Sequence, residues 1–147
     1  MRYAVDPGGI VVVKVGSSLL VDQKTGALHR DWLKTLASDL KMLAGAGADI
    51  LVVSSGAIAS GRHQLGLTKK VKGVPFKQVL ASVGQHRLMG LYEQLFRKYN
   101  ITVAQALLAK VDLLDRAGYL NARNTLLALL ELGVICIVNE NDVVAVD

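Results

Sequence analysis

Gly9-Ile10-Val11-Val12-Val13-Lys14-Val15-Gly16-Ser17-Ser18 is the stretch on which the fold turns. Its run of β-branched residues shows no alternation, the pattern of a strand buried on both faces of a helix-covered parallel sheet. Lys14 interrupts the run. A buried ammonium is costly without an anionic partner, which puts Lys14 where the strand leaves the core, its amine aimed at a negative group. Gly16 lets the backbone turn tightly and approach a ligand closely. The successive N–H groups of Gly16, Ser17 and Ser18 form an anion-binding concavity. A strand that delivers a lysine into an amide-lined turn is a phosphate grip.

Moving outward, Leu19-Leu20-Val21 and Ala27-Leu28 flank the turn-rich Asp22–Gly26, which reads as a small hairpin lying over this first site. Asp31 is placed to cap a helix whose apolar residues Trp32, Leu33, Leu36, Leu40 and Leu43 recur at helical spacing. Gly45-Ala46-Gly47 reads as that helix's stop. It is no dinucleotide-binding fingerprint, because the glycines precede a strand and the third one is missing. A second strand, Asp49–Val53, runs into Ser54-Ser55-Gly56-Ala57 and a helix beginning at Ile58. Strand, small polar turn and helix N-terminus can bind an anion through backbone amides and a hydroxyl. Ser54 or Ser55 can equally be a plain capping serine.

The loop from Gly66 to Pro75 carries Lys69, Lys70 and Lys72 and, with Lys77, forms a basic cluster. It reads as a solvated loop before an anion-attracting rim, since no aromatic residues interleave it. Pro75 starts a long helix to about Tyr99, whose apolar residues cover more than one narrow stripe and so need two partners. The sheet is one. The other is a second subunit, with Gly84 and Gly90 permitting close approach, or simply more of the same domain. Ile101–Ala109 reads as a third strand. A helix over Leu120–Leu132 follows, capped by Asn121 and stopped by Gly133, and then a fourth buried strand, Val134–Val138, ends in Asn139-Glu140-Asn141-Asp142.

The 147 residues suit one domain with a real core, and their 52% hydrophobic and 20% charged content is that of a globular chain. A formal charge of +5 is compatible with phosphorylated substrates or nucleic acid and selects neither. A single cysteine, Cys136, excludes an intramolecular disulfide and a cysteine-based zinc framework, and its apolar surroundings make it a small buried hydrophobe. The sequence shows neither a signal-peptide pattern nor an apolar stretch near the ~20 residues that span a bilayer, so a cytoplasmic setting is expected.

Four buried strands alternating with helical crossovers predict an α/β fold with a mainly parallel sheet in three layers, α/β/α. Ligands bind such sheets outside the carboxyl ends of the strands. Three ends here are polar: Lys14 to Ser17, Ser54 to Gly56, and Asn139 to Asp142. Together they offer a cation, two amide-rich turns, carboxylates and carboxamides, a set suited to an anionic substrate meeting a phosphoryl group. The P-loop and protein-kinase signatures are missing. His29, His63 and His86 fall outside the strand-end motifs and read as surface or helix-face residues, with bordering the site left open for His63 and His86.

Val12–Ser18, Val53–Arg62, Val83–Leu88, Leu120–Thr125 and Val138–Asp142 together, in this order, resemble the glutamate 5-kinases of the amino acid kinase family. The resemblance covers nearly the whole chain. It implies ATP-dependent phosphorylation of the γ-carboxylate of L-glutamate, the first step of proline synthesis, with Mg2+ accompanying the nucleotide. It also implies that Lys14 contacts the phosphates and stabilises the transferred group, assisted by the Gly16-Ser17 turn. Ser55, Asn139 and Asp142 would hold glutamate, Gly56 and Ala57 would supply backbone contacts, and Asp142 would face the α-amino group. Homo-oligomerisation and feedback inhibition by proline are further implications.

Some positions depart from that resemblance. Ser54 stands where Thr is common and keeps the hydroxyl, Cys136 stands in place of Pro, and Val143 in place of Ala adds bulk beside the presumed glutamate pocket. The family's nucleotide-binding part has no counterpart here. The chain is therefore expected to be the amino-terminal, glutamate-binding part of a kinase domain, inactive alone. A related kinase acting on another carboxylate or phosphate, and a non-catalytic glutamate-binding or assembly protein, are the competing readings.

Overall fold

The four apolar runs each form a strand, and all four lie in one parallel sheet. The computed structural model describes residues 9–22, 24–66, 74–106 and 115–139. The strands β1 (Ile10–Val15), β2 (Asp49–Ser54), β3 (Val103–Ala106) and β4 (Ile135–Asn139) are ordered β1-β2-β4-β3. Parallel neighbours cannot be joined by a tight turn, so each connection carries helix. A single helical turn α1 (Ser17–Leu20) and the longer α2 (Arg30–Gly45) link β1 to β2. Next come α3 (Ala57–Gln64) and α4 (Val74–Arg97) before β3, and α5 (Arg116–Glu131) before β4.

Register decides which residues share a face. Val11 pairs with Ile50, Val13 with Val52, Val15 with Ser54, and Val52 in turn with Ile137. That face is buried under Leu33, Ala37, Leu40 and Leu43 of α2 and Leu91, Tyr92, Leu95 and Phe96 of α4, all in one apolar cluster. The opposite face presents Ile10, Val12 and Lys14 of β1 beside Leu51 and Val53 of β2. There α5 lies against β4 and β2 and closes over Cys136, which is fully buried. The first strand is thus covered on one face only: Ile10 is 51% and Val12 59% exposed. Expected burial on both faces fails because, among the described residues, β1 is an edge strand and α5 packs on its neighbours, leaving a cleft between Ile10 and the helix.

Local signals fared unevenly. α2 ends as expected: Gly47 adopts φ 95°, and the Ala48 and Gly47 amides donate back to the Leu43 and Ala44 carbonyls. Its start does not, for His29 takes the cap position and Asp31 falls inside the first turn, where its charge still suits the helix dipole. Val21 and Leu28 form the expected antiparallel bridge, closed by Asp22, whose carboxylate accepts from the Lys24 and Thr25 amides at 2.9 Å each. Leu19 and Leu20 belong to α1 instead of a hairpin arm. α5 begins before the predicted Leu120, at Arg116, because the Asp115 carboxylate accepts from the Gly118 amide at 3.3 Å; Asn121 lies within the helix. Gly133, at φ 78°, terminates it. The predicted third strand is described only as Val103–Ala106, residues 107–109 lying outside the described residues, as do Lys69, Lys70 and Lys72.

Candidate active site

Because Val15, Ser54 and Asn139 are consecutive partners across the sheet, three strands end at one level, and the turns that follow β1 and β2 meet at that edge. Ser55 joins two of them. Its amide donates to the Val15 carbonyl at 3.1 Å and its hydroxyl donates to the same oxygen at 3.3 Å. With its proton so used, the Ser55 hydroxyl turns only acceptor lone pairs outward.

Gly56 follows in a left-handed conformation, φ 95°, which an L side chain rarely adopts. A β-carbon there would lie 3.3 Å from Val21 Cγ2 and 3.5 Å from Ser17 Cα, so the second turn rests directly on the first. Neither Ser54 nor Ser55 caps α3; Gly56 itself occupies the cap position. The capping reading of these serines is thereby replaced by two others: Ser55 bonds across to β1, and Ser54 bonds to α4. The first amides of α3, at Ala57 and Ile58, have no intrahelical acceptor, as at any helix start.

Gly16 behaves differently from expectation. Its φ of −73° and ψ of 158° are ordinary extended backbone, so no tight turn requires glycine there. What its hydrogen leaves is space, since nothing lies within 4 Å of where a β-carbon would sit. Ser17 opens α1, next to Gly56. Lys14 is exposed, one residue before the end of β1, on the face that α5 leaves open. The strand end therefore holds its cation at the rim of the open face. Asn139 closes β4, half-buried, and its Oδ1 is buried without a hydrogen-bond partner among the described residues. An orphaned amide oxygen beside the Ser55 turn is a standing acceptor for a donor. Asp142 lies outside the described residues.

Beneath the turn, Ser54 is 3% exposed and shares a 3.0 Å hydrogen bond with the Tyr92 hydroxyl of α4. Burial pushes the Tyr92 phenol up and the Ser54 contact offsets this in part, so the phenol keeps its proton at neutral pH. Tyr92 escaped the sequence reading. The available signal was a tyrosine four residues after Leu88 on the core stripe of α4, where a phenol needs a polar partner. Gly61 and Gly84 form a second unforeseen contact: α3 crosses α4 so closely that a β-carbon at either would run into the other helix's backbone. Gly84 therefore serves a contact within the chain, not the subunit approach expected of it. The histidines stay outside the site. His63 is exposed and its Nδ1 lies 2.6 Å from the Thr25 carbonyl, tying α3 to the Asp22–Gly26 turn. His86 is exposed and lines an open groove between α3 and α4 with Gln64, Ser82, Val83 and Arg87.

The model of the amino acid kinase family matches residues 9–147, which takes in every strand and all three polar strand ends. The chain belongs to the amino acid kinase family. Among its curated relatives, a glutamate 5-kinase of Dehalococcoides mccartyi is 58% identical over 93% of this chain and 36% of its own length. One of Herpetosiphon aurantiacus is 51% identical over 93% and 37%, and one of Moorella thermoacetica 47% identical over 99% and 38%. The chain thus spans a little over a third of the length of the relatives it matches. Within the family frame, the described residues bring Lys14, Gly16, Ser17, Ser55, Gly56, Ala57 and Asn139 to one edge of the sheet. No helix among the described residues is long and apolar enough to cross a membrane.

Proposed function

We propose that this chain is the glutamate-binding part of a kinase that transfers a phosphoryl group from ATP to the γ-carboxylate of L-glutamate, feeding proline synthesis. The observation that carries the reading is the match at 47–58% identity, over 93–99% of the chain, to relatives named glutamate 5-kinase. Phosphoryl transfer asks a protein for alignment and for positive charge near the moving oxygens, and little else. Lys14 supplies the charge from the strand end. The open space above Gly16 fits a phosphate group, because it lets a phosphate oxygen come close to the Gly16-Ser17 backbone. When bound, ATP supplies the phosphoryl group, and Mg2+ accompanies its phosphates, as suits an ion that dehydrates reluctantly.

On the substrate side, Ser55 and Asn139 present acceptors of the kind an α-ammonium needs, while the Ala57 and Ile58 amides at the start of α3 can meet a carboxylate. Asp142 completes this set in the same reading, by facing the α-amino group. The site would sit in a cytoplasmic enzyme that assembles with itself and responds to proline. α4 offers its exposed Val79 and Gly90 to a second subunit.

A second reading follows from the share of its relatives that the chain spans: it binds glutamate or joins complete subunits without catalysis. Titration calorimetry of the 147-residue chain with L-glutamate, against D-glutamate, tests the substrate half. Heat for the L-form alone supports both readings, and no heat removes glutamate from each. Hydroxamate formation from glutamate, hydroxylamine and ATP tests the transfer half, on the chain alone and joined to the remaining length of the Dehalococcoides relative. Activity only in the joined protein is expected. It should fall at least about a hundredfold in Lys14→Ala, the scale of losing one oriented group that stabilises transition-state charge. Full activity in Lys14→Ala would remove that residue from the mechanism.

A further inference from the structure

The turn Ser54–Ala57 is held from behind by one helix at two points. Gly84 of α4 lies against the Ala57 carbonyl so tightly that a β-carbon has no room. Eight residues further along the same helix, the Tyr92 hydroxyl meets the Ser54 hydroxyl at 3.0 Å. Tyr92 is 2% exposed and its ring belongs to the apolar cluster with Val15, Val52 and Phe96, so packing leaves the phenol little freedom. Ser54 sits between Val15 and Asn139 in the sheet and precedes the residue that bonds the Val15 carbonyl. Its hydroxyl also has a long contact, 3.5 Å, with the Ser55 carbonyl. A buried hydroxyl pair of this kind costs stability unless satisfied, and once satisfied it specifies one arrangement of the groups it joins.

We infer that Tyr92 is a positioning residue for substrate: through Ser54 it sets the Ser55-Gly56-Ala57 turn at the angle that L-glutamate requires, while touching no substrate itself. The inference rests on the reading of that turn as the glutamate turn. Gly84 holds the far end of the same turn through Ala57. The site geometry is therefore a property of where α4 lies, and any shift of α4 along its axis would be felt at both ends of the turn.

Tyr92→Phe keeps the ring and removes only the hydroxyl, and Ser54→Ala removes the partner. In the 147-residue chain, Tyr92→Phe should weaken L-glutamate binding by calorimetry about tenfold, the loss expected of one buried hydrogen bond. The melting temperature should fall by no more than about 4 °C. Hydrogen exchange followed by NMR should quicken at the Ser55 and Ser60 amides, which bond the Val15 and Gly56 carbonyls, and stay unchanged at Val52 and Ile137. Adding Tyr92→Phe to Ser54→Ala should cost nothing further in affinity, since the pair acts as one unit. Affinity within twofold of the parent, or faster exchange spread evenly over the sheet, would overturn the inference and leave Tyr92 a core residue only. If the parent itself binds no glutamate, the functional reading fails separately. Exchange then decides what is left: faster exchange confined to Ser55 and Ser60 shows that Tyr92 sets the turn, and unchanged exchange removes that role as well.

Discussion

The two faces of this sheet are built from similar residues and meet different fates. On one, Val15, Ile50, Val52 and Ile137 are nearly inaccessible beneath α2 and α4. On the other, Ile10 and Val12 stay more than half exposed beside a cleft of about 230 Å³ that Ile10 and Leu51 share with Leu126, Leu127 and Leu130 of α5. Side-chain alternation is the same on both. The difference lies in cover: among the described residues two helices pack on the first face, while on the second one helix lies chiefly against β2 and β4. Apolar strand composition therefore records what a face could bury, and the neighbouring elements decide what it does bury. The candidate site lies across this division, with Lys14 on the open face and Ser54 anchored into the closed one.

The strongest test of the contrast compares truncations on the two faces. Phe96→Ala in the closed face should lower unfolding stability in urea by about 3–5 kcal/mol through lost burial and a residual cavity. Val12→Ala should stay within about 0.5 kcal/mol, as for an exposed residue; a cost near that of Phe96→Ala would mean the open face is covered in solution. Next comes Gly84→Ala, whose methyl would meet the Ala57 carbonyl; pushing α3 off α4 should cost about 1–3 kcal/mol. On the open side, Asp115→Ala removes the cap of α5 and should cost about 1 kcal/mol, read by thermal melts and by loss of helical circular dichroism.

Two pH effects sharpen the comparison further. The Tyr92 phenol is raised above its ordinary 10.0 by burial, so its contribution to stability is full below pH 10 and is lost as pH rises through the folded value. Wild type should therefore lose stability above pH 10 more steeply than Tyr92→Phe. The smallest effect belongs to exposed Asp22. Its carboxyl is held below its ordinary 3.8 chiefly by the Thr25 amide and then by that of Lys24. That contribution is present above pH 3.8 and disappears as pH falls through the lower folded value. The difference in melting temperature between wild type and Asp22→Asn should close below pH 3.8, and a difference that persists there would assign the turn's stability to something other than the charge.

Much of the site was legible because its signals are local. A lysine ending an apolar run, a Ser-Ser-Gly turn before a helix and an Asn after the last strand each stand out without knowledge of what they face. Helix stops at Gly47 and Gly133 were equally local, since each needs only a left-handed residue after the last turn. Helix starts were not. Asp31 and Asn121 have the right chemistry for caps, yet His29 and Asp115 hold the positions, Asp115 by accepting from the Gly118 amide and His29 with no side-chain bond at all. Gly16 shows the reverse error: a glycine taken for a turn requirement lies in ordinary backbone and matters for the space beside it.

The sequence by itself determined the strands, their parallel α/β arrangement and the polar residues Lys14, Ser55 and Asn139 at the strand ends, because hydrophobic period and turn chemistry act over a few residues. Only the tertiary structure decided which face of β1 is covered, that Gly61 and Gly84 join α3 to α4, and that Tyr92 reaches Ser54 across 38 positions. Such contacts depend on how helices cross a sheet. No local pattern encodes that crossing, since the same apolar stripe is satisfied by any neighbour that excludes water.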